Sequence, residues 1–185
     1  MFFGKSYLLL IIFLCIAMLS VGQEKGNSIN NNPYKWFNLI GKEAPVFKSR
    51  LIFRDSFDLN LMKDTVLVLN FWFIACKPCR PEIPYLNKLQ EKFKRKKFKL
   101  ISVAWNKEEE FVKLYDSVTK TIILDSLKIN YPIIPDGNWI SKKYSVSSYP
   151  RTFVIKKGII SQILIFTNQP EESYNRWTKE IKRLL

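Results

Sequence analysis

Histidine is absent from this chain of 185 residues, and cysteine occurs three times. Without an imidazole, three thiols cannot supply the four Cys/His ligands of a structural zinc site, and no metal or other cofactor is expected. Acidic residues are few beside basic ones, 16 Asp and Glu against 30 Lys and Arg, so the formal net charge is +14. Such a field favours acidic partners and anionic surfaces, and it weakens with salt. No internal repeat is present. No uninterrupted apolar run reaches the ~18 to 20 residues that a membrane-spanning helix needs.

What is present is enough apolar material for one proper core: 47% of the residues are hydrophobic and 15% aromatic. Residues 1–22 differ in kind from the rest. Lys5 gives a small positive start, Tyr7 to Leu19 is apolar throughout, and Ser20-Val21-Gly22 places small residues where a signal peptidase inspects them. The reading is a signal peptide over 1–22, followed by export to the periplasm or cell envelope. An uncleaved segment extending toward Phe2 would act as a membrane anchor instead. Phe13 and Leu14 stand before Cys15 where a lipid-modification box needs small residues, which argues against a lipoprotein. Loss of residues 1–22 removes Cys15 and leaves the pair Cys76 and Cys79, a close-spaced dithiol suited to an oxidising compartment.

That pair carries the chemistry. It follows Thr65 to Phe71, which reads as a buried strand, and precedes Ile83, Leu86, Leu89 and Phe93, which recur at helical spacing. Both sulfurs therefore belong at a strand-to-helix turn. Unpaired N–H groups and the positive end of the macrodipole favour a thiolate there, and the thiolate is the species that attacks disulfides. A purely structural cross-link is the plainer alternative, but closing so short a loop contributes about 2 kcal/mol, against about 3 for a fifteen-residue loop.

Residues 23–38 are polar and without period, and they read as a linker to a domain over 39–185 that begins to pack near Trp36. Val46 to Phe53 and Ser56 to Leu59 suggest a hairpin around Arg54-Asp55. A helix is expected from about Cys79 to Lys94, with Pro84 as a potential kink. Phe98 to Trp105 returns as a strand. Glu108 opens a helix whose apolar face is Phe111, Leu114, Tyr115 and Val118. A short strand at Tyr131 to Ile134 and a turn at Asp136-Gly137 follow. Arg151 to Lys156 and Ile159 to Thr167 form a hairpin around Lys157-Gly158, and Tyr174, Trp177, Ile181 and Leu184 define a closing helix. This order implies an α/β sandwich with a mixed sheet. The basic run Lys92 to Lys99 falls at a helix C-terminus, where a solvated end complements the dipole, and no nucleic-acid partner is expected.

Trp72, Cys76-Lys77-Pro78-Cys79, the later Tyr149-Pro150-Arg151-Thr152-Phe153 and the opening Gly41-Lys42-Glu43-Ala44-Pro45 resemble the thioredoxin superfamily, specifically its exported TlpA/ResA-like thiol-disulfide oxidoreductases. The resemblance covers residues 39 to 185. It implies a thioredoxin-like three-layer sandwich with a mixed central sheet, an N-terminal β-hairpin and a central insertion within residues 106 to 135. It also implies a cis Tyr149-Pro150 bond facing the dithiol. Two positions depart from the pattern: Asn70 stands where thioredoxin has a buried Asp, and Ala75 stands where TlpA-like members often have Trp, which suggests a more open rim.

On this reading Cys76 is the nucleophile and Cys79 resolves the mixed disulfide. Glu82 lies three residues beyond Cys79. From the residues alone it is an exposed first-turn carboxylate that favours the dipole; the resemblance brings it forward as the proton acceptor for Cys79, because ResA-like proteins have a functional glutamate at this spacing. Trp72, Phe73, Tyr149 and Pro150 are expected to border the substrate groove. A peroxiredoxin needs Thr or Ser where Phe73 stands, and a copper chaperone of similar fold needs a His ligand. The partners implied are disulfide-containing protein substrates and a membrane thiol-disulfide electron carrier, with apocytochrome c maturation a candidate task and a monomer as the expected state. A net oxidase remains open within the same chemistry. From another class, so does a binding or chaperone-like module whose dithiol is not catalytic.

Overall fold

The strand ahead of the dithiol, β3 (Val66–Trp72), is buried at all of its positions. A strand covered on both faces requires that. The computed structural model describes residues 34–185; the expected signal segment 1–22, with Lys5 and Cys15, and most of the expected linker lie outside the described residues. The end of that linker is packed: Lys35–Leu39 form a 3₁₀ turn in which Trp36 is buried.

Among the described residues, a hairpin of β1 (Lys48–Leu51) and β2 (Arg54–Asp58) precedes β3, and α1 (Ile83–Phe93) and β4 (Phe98–Ala104) follow it. After α2 (Glu108–Val112) come β5 (Tyr115–Asp116), β6 (Thr121–Leu124) and β7 (Leu127–Ile129), which form their own antiparallel sheet. The chain closes with β8 (Ile133–Ile134), α3 (Asn138–Lys143), β9 (Arg151–Lys156), β10 (Ile159–Leu164) and α4 (Pro170–Leu184). The central sheet has the order β10-β9-β3-β4-β8. β3 runs parallel to β4 and antiparallel to β9, with Asn70 opposite Thr152 and Phe71 opposite Arg151.

Alternation along the strands divides the core. Val66, Val68 and Trp72 pack with Leu86, Leu89, Trp177 and Ile181 of α1 and α4, whereas Leu67, Leu69 and Phe71 pack with Trp36, Ile140 and Tyr144. The result is the expected mixed-sheet, three-layer α/β arrangement. Each edge of the sheet is covered in part. Gly41 N–H donates to Ile160 O at 2.8 Å and Ala44 N–H to Gly158 O at 2.7 Å, while Ile52 N–H donates to Ile133 O at 2.9 Å on the far side.

Several elements differ from the sequence reading, each for a local reason. The first hairpin turns at Ile52-Phe53, ahead of Arg54-Asp55, because Ile52 is tied to β8 and Phe53 takes φ +53°. The helix expected from Cys79 begins at Ile83. Pro81 and Pro84 lack the N–H groups that an earlier α ladder would use, so Lys77–Glu82 wind as a 3₁₀ turn and Pro84 falls in the first turn of α1. α2 stops at Val112, short of the Val118 expected on its face. Asp116 accepts hydrogen bonds from Val118 N–H at 3.0 Å and from the Thr119 hydroxyl at 2.6 Å, a turn geometry that competes with helix. The region 121–145 holds β6, β7 and α3, which the sequence reading did not separate. The β9–β10 turn at Lys157-Gly158 has φ +54° and +76°, as a tight hairpin requires.

Candidate active site

β3 and β4 are parallel and end together at Trp72 and Ala104, so the loops that leave them meet at one end of the sheet. The dithiol lies in the first of these loops. Cys76 caps the 3₁₀ turn, its N–H donating to Phe73 O at 3.0 Å, and Cys79 N–H donates back to Cys76 O at 3.2 Å. The two cysteines are joined as a disulfide with a Cα–Cα separation of 5.3 Å. A 3₁₀ turn has three residues per turn, so side chains three apart eclipse one another. Cys76, Cys79 and Glu82 are spaced by three, and all three are buried, at 2%, 3% and 2% exposure. Lys77 and Pro78 between them are exposed.

Glu82 is therefore not the exposed first-turn carboxylate that its position alone suggested. Its Oε2 accepts from Asn70 Nδ2 at 3.2 Å, and the same amide nitrogen donates to Thr152 Oγ1 at 2.9 Å. These three side chains come from the turn, β3 and β9, and converge because Asn70 and Thr152 are register partners. Burial pushes the Glu82 carboxyl up to about 8, against the Asn70 hydrogen bond and the positive charge of Arg151, which both draw it down. Such a carboxyl can take up and release a proton near neutral pH. Tyr131 adds a second buried group; burial first, then the Glu82 charge, hold its phenol above the ordinary value and so neutral.

The other expected site residues divide. Tyr149 and Pro150 are joined by a cis bond, are half-buried, and lie at the rim, where Tyr149 meets Phe73 edge-on at a centroid distance of 5.5 Å. Trp72 does not border a groove. It is buried, and its Nε1–H donates to Ser102 Oγ at 3.0 Å, so it packs beneath the site. Ala75 is exposed, yet Cys76 beside it is not, so the expected opening of the rim does not reach the sulfur. Sequence reasoning missed three residues. Asn106 accepts from Ile74 N–H at 2.7 Å and donates to Glu110 at 2.8 Å, tying the dithiol loop to the start of α2. Thr152 completes the Asn70 bridge, and Arg151 acts on Glu82. The proximity of Thr152 and Arg151 to the proline was the one signal that could have found them; nothing in the sequence marks Asn106.

The AhpC/TSA family matches residues 40–163. A thioredoxin-like protein, YneN, of Bacillus subtilis is 31% identical over 133 residues, covering 71% of this chain and 75% of the relative. The thiol-disulfide oxidoreductase ResA of Bacillus thuringiensis subsp. konkukian is 32% identical over 149 residues, covering 77% and 78%. The thioredoxin domain of a thiol-disulfide oxidoreductase from Bacteroides vulgatus superposes with a TM-score of 0.59 at 24% identity, over 77% of this chain and 97% of that one, and shows the thioredoxin fold.

Proposed function

We propose that this chain, which belongs to the AhpC/TSA family and is a thiol-disulfide oxidoreductase, reduces protein disulfides in the cell envelope, with Cys76 attacking, Cys79 resolving and Glu82 accepting a proton. One observation carries the reading. Cys76, Cys79 and Glu82 form a buried row on a single 3₁₀ turn, and the carboxyl at its end is pushed up to about 8.

The chemistry balances as follows. The Cys76 thiolate attacks one sulfur of a substrate disulfide, forming a mixed disulfide and releasing the other substrate sulfur as a thiolate. Cys79 gives its proton to the Glu82 carboxylate and attacks Cys76 Sγ. The second substrate thiolate leaves, the Cys76–Cys79 disulfide forms, and the proton on Glu82 passes to the departing sulfur or to water. Two electrons have moved from the dithiol to the substrate. The half-buried backbone beside Pro150 offers an extended substrate segment a place to pair. Phe73, three residues before Cys76, has no hydroxyl to donate to a peroxide, which sets this chain apart from peroxidases of the same family.

The apolar segment Tyr7 to Leu19 and the small residues ending at Gly22 support export, with 1–22 as signal and 23–38 as linker to the domain over 39–185. In an oxidising compartment the dithiol has to be regenerated, and a membrane thiol-disulfide carrier would supply the electrons. Apocytochrome c maturation is the candidate task that the resemblance of the Cys76–Cys79 and Pro150 motifs to exported TlpA/ResA-like proteins implies.

Single-turnover kinetics with a disulfide peptide test the assignment. In Glu82→Gln the resolution step is expected to slow about a hundredfold at pH 7, within the range for losing a positioned base, while attack by Cys76 changes less than about threefold. Resolution that stays at the wild-type rate from pH 5 to 8 would remove Glu82 from the mechanism.

A further inference from the structure

Trp105 stands one residue beyond the end of β4, and 54% of its surface is exposed, whereas Trp72 and Trp177 are buried. It is not a core residue, yet its ring is held. Phe73, three residues before Cys76, meets it edge-on at a centroid distance of 6.1 Å, and Phe73 also meets Tyr149 edge-on at 5.5 Å. Trp105, Phe73 and Tyr149 therefore form a row of rings drawn from the ends of β4 and β3 and the approach to β9. Phe73 and Tyr149 pack in turn against the apolar cluster that contains Cys76 and Cys79. The backbone under the row is pinned: Trp105 N–H donates to Trp72 O at 3.1 Å, Asp136 N–H donates to Asn106 O at 2.8 Å, and Asn106 Oδ1 takes the Ile74 N–H. The indole N–H groups of Trp72 and Trp177 donate to Ser102 Oγ and Ile165 O, but that of Trp105 has no hydrogen-bond partner among the described residues. Ala75, adjacent to Cys76, adds a methyl group only, so the aromatic surface beside the dithiol is this row. A ring fixed before binding, half wet and with an open donor, provides contact area at little entropic cost.

We propose that Trp105, with Phe73 and Tyr149, forms a substrate subsite that takes a large aromatic side chain next to the reactive cysteine of a disulfide-containing protein. The inference rests on the reading of Cys76 as the attacking sulfur. A substrate sulfur at Cys76, with its backbone along the half-buried segment at Pro150, brings the side chains beside its cysteine onto the row. An aromatic ring placed there removes the exposed face of Trp105 from water together with its own, which is the larger part of the gain. A small polar side chain leaves that face wet. Trp105 thus acts on which disulfides are bound, and its part is specificity. Rigid aromatic residues at the centre of a contact surface are the ones that carry binding energy, and Trp105 is the exposed one of the three.

The test uses the reduced full chain and two neutral disulfide peptides of equal length, one with Phe on either side of each cysteine and the other with Ser. Single turnovers at rising peptide concentration give a maximal rate and a half-saturating concentration for each. Wild type is expected to favour the Phe peptide about tenfold in the ratio of the two quantities. Trp105→Ala is expected to bring that preference within about twofold by raising the half-saturating concentration for the Phe peptide, and Trp105→Phe, which keeps a ring, to retain about threefold. If Trp105→Ala does not fold, Trp105→Gln keeps a stem on Phe73 without the aromatic face and must lose the preference to the same extent. Two failures are distinct. A wild-type preference under about twofold, or a Trp105→Ala variant that lowers the maximal rate equally with both peptides, overturns the subsite and leaves the dithiol reading in place. If wild type reduces neither peptide, or Cys76→Ser reduces both as fast as wild type, the dithiol reading falls and the subsite falls with it.

Discussion

Glu82 is held between opposed influences, burial favouring its proton and the Asn70 hydrogen bond and the Arg151 charge drawing it off. This has a consequence for stability. In the unfolded chain the carboxyl titrates near about 4.3; folded, it keeps its proton up to about 8. Between these values the folded form binds one proton more than the unfolded form, so stability falls as pH rises, by at most about 1.4 kcal/mol per pH unit. The contribution is complete below the lower value and gone above the upper one. Glu82→Gln removes the titration. Denaturant melts of the oxidised protein at pH 5, 6, 7 and 8 should therefore show wild type losing stability relative to Glu82→Gln as pH rises. A difference that stays constant over that range would mean an ordinary carboxyl. The partner Asn70 was legible as a departure from the thioredoxin pattern, an amide that carries no titrating proton at ordinary pH. Its hydrogen bonds were not legible, because Glu82 and Thr152 lie 12 and 82 residues away along the chain.

The decisive element is the 3₁₀ turn Lys77–Glu82. Prolines at 78, 81 and 84 remove three backbone donors within seven residues, and the tighter winding that results brings Cys76, Cys79 and Glu82 into line. Helical spacing alone would have fanned them around an α-helix. A second constraint acts at the neighbouring strand end, where α3 starts against β4. Gly137 N–H donates to Ala104 O at 2.7 Å, and a Cβ at Gly137 would come within 2.2 Å of Val103 Cγ1 and 2.9 Å of Ala104 O. Gly137→Ala is thus expected to cost about 1 to 3 kcal/mol, the range for overpacking, measured as a lower urea midpoint with an unchanged slope. The sequence marked this glycine only as part of a turn with Asp136. The closeness of β4 is a tertiary fact.

At the scale of the whole molecule, the formal charge of +14 reaches the dithiol loop through Lys77, which is exposed, while Glu82 is buried. The charge lies on the surface, so it acts on encounter more than on chemistry. Reduction of an acidic disulfide peptide under second-order conditions should slow several-fold when ionic strength rises from about 0.02 to 0.3 M, as the Debye length contracts, while a neutral peptide of the same length keeps its rate. Equal salt responses would show that the field does not steer substrates. Residues 41–44 pair with the start of β10 and Ile52 pairs with β8, so each edge of the central sheet is covered in part.

What the sequence determined by itself was whatever depends on neighbours within a few residues: the strand ahead of the dithiol, the spacing of Cys76 and Cys79, the Lys157-Gly158 turn and the amphipathic closing helix. Local backbone preference and side-chain period are properties of short windows, and they survive in any context that buries the apolar face. Only the tertiary structure decided that Glu82 is buried, that Trp72 faces Ser102 instead of a substrate, and that Arg151 rests on Trp36. Each of those depends on residues 12 to 115 positions apart meeting across a sheet. Desolvation and through-space charge, which set the chemistry of a site, arise only when such distant segments exclude water together.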